Sequence, residues 1–167
     1  MPHVDQFLDS LDRLEVGWTR TSAADVSPVL DDVLVTPSIG APLPFDDLSI
    51  NRAGVNLQPS PADLDAAATG VTAARMAIAN YGSILIQSAS DATEAASLFP
   101  DRHVAILRAS DVVPDMPAAF ERLGPALRND AVTTILATGP SATADMGALV
   151  KGAHGPMEVH VILVEDR

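Results

Sequence analysis

A chain of 167 residues, 47% of them hydrophobic, is too apolar to stay disordered and holds one cored domain rather than two. It contains no cysteine, which excludes a disulfide scaffold, a Cys-ligated zinc and an iron–sulfur cluster within the chain. Twenty-two acids against ten bases give a net charge of -12, so a nucleic-acid partner has no basic patch to find and an anionic membrane surface is disfavoured.

In chain order, Val4, Phe7, Leu8, Leu11 and Leu14 fall on one stripe opposite Asp5, Asp9 and Asp12, which predicts an amphipathic helix over Val4–Leu14, ended by Gly17. Residues 18–62 carry Pro28, Pro37, Pro42, Pro44, Pro59 and Pro61, which forbid long helices. Asp32–Thr36 and Asn56–Leu57 read as short strands in an irregular covering layer. From Gly70 the pattern sharpens. Thr72 is placed to cap a short helix over Ala73–Ala79, and Asn80-Tyr81-Gly82 is a turn. Strands are predicted at Ser83–Gln87 and His103–Leu107. A helix follows at Pro117–Asn129, with Phe120, Leu123 and Leu127 inward, then a strand at Ala131–Thr138. Gly139-Pro140 breaks that strand, Ser141 caps a short helix through Gly147, and Gly152–Pro156 is a loop before a last strand, Val159–Val164.

Ile84-Leu85-Ile86, Val104–Leu107, Val132–Leu136 and Val159–Val164 lack polar alternation. Strands covered on both faces read this way, so the expected fold is a three-layer α/β/α domain with a mostly parallel sheet. Residues 1–167 form one domain on this reading, with residues 1–65 a helix and covering segment and residues 70–167 the α/β core. No apolar run is long enough to cross a bilayer, and Met1-Pro2-His3-Val4-Asp5 lacks the basic start of a signal peptide, so the cytoplasm is the expected compartment. The acidic surface is either a partner-docking face or a solvated surface suited to high salt, and the second reading points to a halophilic source. Residues 1–65 hold eleven acids and three bases, whereas residues 131–157 hold only Asp145 and Lys151. A core segment or an anion site escapes an acidic bias in that way.

Two constellations carry candidate chemistry. Thr138-Gly139-Pro140-Ser141-Ala142-Thr143-Ala144-Asp145 follows a strand and is expected to open a helix, at the sheet edge where open α/β folds bind ligands. Backbone N–H groups there attract anions, Ser141 and Thr143 add hydroxyls, and Asp145 orients a ligand or acts as a base. On the alternative reading Ser141 only caps the helix and Asp145 complements its dipole. In Gly152-Ala153-His154-Gly155-Pro156, His154 is either a proton shuttle or a loop histidine bonded to a backbone carbonyl. Asp145 and His154 sit on neighbouring segments and could pair as acid and base. Lys151 either supplies a cation to the ligand or is solvated. Gly82 and Ser83, beside Tyr81, mark a further strand entry that could line a pocket. His3, His103 and His160 read as structural, and their spacing makes no metal site.

These stretches, followed by Val159–Val164, resemble the C-terminal signature of the LUD-domain family, which includes lactate utilization protein C. Ala77-Ile78-Ala79-Asn80-Tyr81-Gly82-Ser83-Ile84 resembles that family's strand entry, and Leu98-Phe99-Pro100-Asp101-Arg102-His103-Val104 its Leu-Pro-x-x-His element. The likeness runs from about residue 70 to the end. It implies a fold related to ribose-phosphate isomerases, glucosamine-phosphate deaminases and CoA transferases. It also implies an accessory or regulatory role in oxidising L-lactate to pyruvate, beside partner proteins that carry the iron–sulfur clusters, with no cofactor on this chain. A small anionic metabolite is then expected at Gly139–Asp145, held by Thr138, Gly139, Pro140, Ser141 and Thr143 with Gly82, Ser83 and Gly155. The rival expectations are an isomerase- or CoA-transferase-like enzyme using Asp145 and His154, and an interaction module without ligand. The family often has Arg or Lys where Ala142 stands and Glu where Gly147 stands. Both differences count against a stand-alone enzyme.

Overall fold

The computed structural model describes every residue except 1, 47, 49, 51–53, 89–90, 130–132 and 146, together with the side chains of Pro2 and Asn129. The first amphipathic stripe forms helix α1 (Pro2–Arg13), with Val4, Phe7, Leu8 and Leu11 buried. Glu15 turns the chain with a φ of 58°, and Gly17 opens strand β1 (Gly17–Thr21). Helix α2 (Val26–Val33) takes Pro28 in its first turn, where a missing N–H costs little. There follow β2 (Ser38–Gly40), α3 (Pro61–Ala66), β3 (Thr69–Ala74), β4 (Met76–Ile78) and β5 (Ser83–Gln87). Next come α4 (Thr93–Leu98), β6 (Arg102–Arg108), β7 (Val112–Val113) and α5 (Met116–Asn129). The chain ends with β8 (Thr134–Thr138), β9 (Ala142–Thr143), β10 (Val150–Lys151) and β11 (Glu158–Val164).

The fold is α/β, with a mostly parallel central sheet flanked by helices. Five strands in the order β1-β11-β6-β3-β2 run parallel, with Val161 level with Ala105 and Ala73 level with Ile106. One face of this sheet (Val104, Ile106, Val71, Ile162) lies under Val26 and Leu30 of α2 and under Phe45, Leu48, Ile50 and Val55. The other face (Ala105, Leu107, Val159, Val161, Leu163) packs against α1 and against Ile84 and Ile86 of β5. Each large aliphatic side chain so buried contributes roughly 1.5–3 kcal/mol.

A second sheet corrects the single-sheet expectation. Four strands in the order β7-β4-β5-β8 form it, with β5 antiparallel to both β4 and β8. Its inner face meets the parallel sheet. Its outer face (Met76, Ile78, Leu85) packs under Ala119 of α5. Missing polar alternation shows that both faces of Ser83–Gln87 are covered, but it does not say which sheet the strand joins.

Four further expectations change. The expected helix over Ala73–Ala79 is replaced by the end of β3 and by β4, and the Thr72 hydroxyl bonds His103 Nε2 at 2.9 Å instead of capping a helix. Here tertiary packing overrides the helix propensity of alanine. Asp32–Thr36 is not a strand, since α2 runs to Val33 and the strand begins at Ser38. Asn56 does bridge Ile39. In α5 the inward residues are Met116, Ala119 and Leu123, while Phe120 and Leu127 face out. Ser141 opens no helix, because Ala142–Thr143 pairs antiparallel with Val150–Lys151 as a small hairpin. The start of the predicted strand Ala131–Thr138 lies partly outside the described residues, and the described strand begins at Thr134.

Candidate functional site

Because the second sheet leans over the amino end of the parallel one, the two part there and leave a cavity of about 240 Å³. His103, Val159 and Val161 form one wall, and Ile84, Ile86, Ile135 and Ala137 the other. Leu11 and Val16 close one side, and Ser97 and Leu98 of α4 another. Close packing brings α4 in: a Cβ on Gly70 of β3 would stand 1.7 Å from the Ala96 carbonyl oxygen. The side chains facing this space are chiefly aliphatic, so it favours a guest with an apolar body.

The mouth is where the two Gly–Pro loops meet. Thr138, Gly139, Pro140, Ser141, His154, Gly155 and Pro156 line it, with Gly82 beside them. Gly139 turns with a φ of 70°, a conformation open to glycine at little cost. The loops are joined by three hydrogen bonds. Ser141 N–H donates to the Pro156 carbonyl (2.9 Å), Gly152 N–H to the Ser141 carbonyl (2.9 Å), and His154 N–H to Ser141 Oγ (3.3 Å). A Cβ on Gly155 would lie 3.3 Å from Ser141 Cβ, so glycine permits this approach. The His154 side chain is exposed at the rim.

Other predicted residues lie elsewhere. Ser83 is buried behind the mouth and holds Thr138 through a 2.7 Å bond between their hydroxyls. Thr143 belongs to the hairpin, and its hydroxyl accepts from Asp145 N–H at 3.4 Å. Asp145 is exposed in the connection between β9 and β10 and lines no part of the cavity, so it does not meet His154 there. With no helix at Ser141, neither a helix-start anion site nor a cap operates at this loop. Lys151 pairs with Glu15 at 2.6 Å and so ties the hairpin to the turn after α1. That ion pair holds the Glu15 carboxyl below its ordinary value.

Sequence reasoning took His103 as structural and passed over Ser97. Both are buried and both line the cavity. Burial pushes the His103 imidazole down to about 4, so near neutrality it is an uncharged ring bonded to Thr72. The available signal was a lone polar residue at the start of an apolar strand. His160 bonds Thr19 at 3.0 Å on the half-buried edge, in keeping with a structural part. Among the described residues, no His, Cys, Asp or Glu group is arranged to hold a metal ion, and no helix is long and apolar enough to cross a membrane.

Comparison with known proteins converges on one family. The LUD domain model matches residues 62–164. "Lactate utilization protein C" of Deinococcus radiodurans is 30% identical over 95% of this chain and 78% of its own length. The protein of that name from Bacillus subtilis is 33% identical over 59% of this chain, and the match spans only 42% of the relative. The crystal structure of a DUF162 family protein from Deinococcus radiodurans superposes with a TM-score of 0.75, covering 98% of this chain and 96% of that one. At 22% identity this last likeness speaks for the fold alone.

Proposed function

Because this chain belongs to the LUD-domain family, we propose that it serves lactate utilization as an accessory or regulatory protein that binds a small organic acid in the cavity between its two sheets. The apolar walls take the carbon skeleton of the acid. Its carboxylate stays at the mouth, within reach of the Ser141 hydroxyl and the His154 ring. The observation that carries this reading is the convergence of residues 139–141 and 154–156, joined by the His154 N–H to Ser141 Oγ bond, around an open space of about 240 Å³. Electron transfer falls to partner proteins with iron–sulfur clusters, which a chain without cysteine does not ligate through thiolates.

An acid–base enzyme is the weaker reading, since Asp145 stands off the cavity and the histidine at its floor is buried and neutral. Titration calorimetry with L-lactate, pyruvate and longer 2-hydroxy acids tests the proposal. Ser141→Ala and His154→Ala each weaken binding about tenfold, as loss of one charge-assisted hydrogen bond does. Ala137→Leu fills the space and abolishes binding while the fold is retained. Undiminished affinity in Ala137→Leu, or no heat with any of these acids, rules the reading out.

A further inference from the structure

We propose a second ligand site, for a phosphoryl-type oxyanion, at the opposite, carboxyl end of the parallel sheet, built on Arg75 and Arg108. It is independent of the cavity. Three of the ten basic residues of this acidic chain gather there: Arg75, Arg108 and Arg122. The register explains how. Ala74 is level with Leu107 in neighbouring parallel strands, and Arg75 and Arg108 are the residues that follow each of them.

Asp111 is 1% exposed and organises the group. It accepts from Arg108 Nε at 2.6 Å and is paired with Arg122. Arg108 also lies 4.6 Å over the Phe45 ring. These contacts fix its guanidinium while leaving its terminal nitrogens to other partners. Arg75 is different. It is exposed, and among the described residues no carboxylate comes within ion-pair distance of it. Partial burial, and then the charge of Arg108, pull its guanidinium below the ordinary value, against the opposing pull of Asp111 and Asp91.

Beside Arg75 lies a recess of about 40 Å³ lined by Pro42, Pro44, Gln87, Asp91 and Thr93. Asp91 Oδ1 is already taken by the Thr93 hydroxyl and backbone N–H, at 2.5 and 2.9 Å. At roughly 10–15 Å³ per water the recess holds about three waters, the footprint of one phosphoryl group. Arg75 lines the recess and is the direct ligand of the anion, while Arg108 lies outside the lining and adds a second positive charge nearby, which suits a dianion better than a single carboxylate. The carboxyl edge of an open α/β sheet is also where such ligands commonly sit.

The test uses inorganic phosphate and the whole chain. Ionic strength is held constant with potassium chloride, so that general screening of the acidic surface does not imitate binding. Phosphate raises the melting temperature of the native chain and gives a calorimetric Kd that Arg75→Gln weakens at least tenfold. Arg75→Lys, which keeps the charge but loses the planar fork, falls between. His154→Ala leaves phosphate binding unchanged. Absence of a phosphate-specific shift, an equal shift in Arg75→Gln, or loss of binding in His154→Ala would overturn the proposal. So would pyruvate binding as tightly as phosphate with the same dependence on Arg75.

Discussion

At its amino end the parallel sheet presents His103, Val159 and Val161 to an apolar hollow; at its carboxyl end β3 and β6 run out into Arg75 and Arg108 on a charged surface. The difference comes from what covers each end. Over the amino end lean β5 and β8 of the second sheet, and α4 is drawn in by the bare backbone of Gly70. Apolar cover leaves any polar group beneath it dependent on a neighbour, which is why His103 is neutral and tied to Thr72. At the carboxyl end a single carboxylate, Asp111, gathers two cations, and a third stays open to solvent. A strand end therefore takes its chemistry from the layer above it as much as from its place in the sheet.

The contrast can be broken first at the amino end. Gly70→Val drives a side chain into the Ala96 carbonyl and expels α4. The expected cost exceeds about 4 kcal/mol, a large part of the stability of an ordinary domain, and lowers the urea midpoint accordingly. A Gly70→Val protein that melts like the native chain would show that α4 is not held as described.

Next in size is the pH dependence of His103. Its folded value of about 4 lies below the ordinary 6.5, so between these limits the unfolded chain binds the extra proton. Stability is therefore complete above pH 6.5 and falls as the pH drops towards 4, by about 3 kcal/mol from this residue. Urea unfolding at pH 7 and pH 4.5 reads the loss, and His103→Gln removes it. Equal pH slopes in the two proteins would mean that water reaches the ring.

The smallest effect belongs to the carboxyl end. Asp111→Asn leaves Arg108 and Arg122 without their shared carboxylate. Their side chains are 35% and 44% exposed, so solvent screens part of the loss and the cost is about 2 kcal/mol rather than the full cost of a buried pair. Thermal unfolding at low and high salt measures it. A neutral Asp111→Asn would place the two cations in bulk solvent, and the contrast between the ends would shrink.

Much of this was legible in the residues themselves. The stripe Val4–Leu11 is an apolar face whatever it meets, and Ser83–Gln87, His103–Leu107 and Val159–Val164 are buried strands because their runs offer water no polar side. Gly139-Pro140 and Gly155-Pro156 announce loops, since neither pair continues a strand or a helix. The family likeness read from about residue 70 onward rested on those same motifs, and the LUD domain model matches residues 62–164. Local pattern could not assign the strands to two sheets, because burial on both faces looks alike in either. Nor could it settle Thr72–Ala79, whose alanines favour a helix until His103 and the neighbouring strands claim them. The same limit separates Asp145 from His154. Their short spacing along the chain suggested a pair, but the β9–β10 hairpin carries Asp145 away from the cavity while the Ser141–His154 bond keeps the histidine at its mouth. Sequence determines which segments must leave water; three-dimensional packing decides which of them meet, because those contacts join residues far apart along the chain.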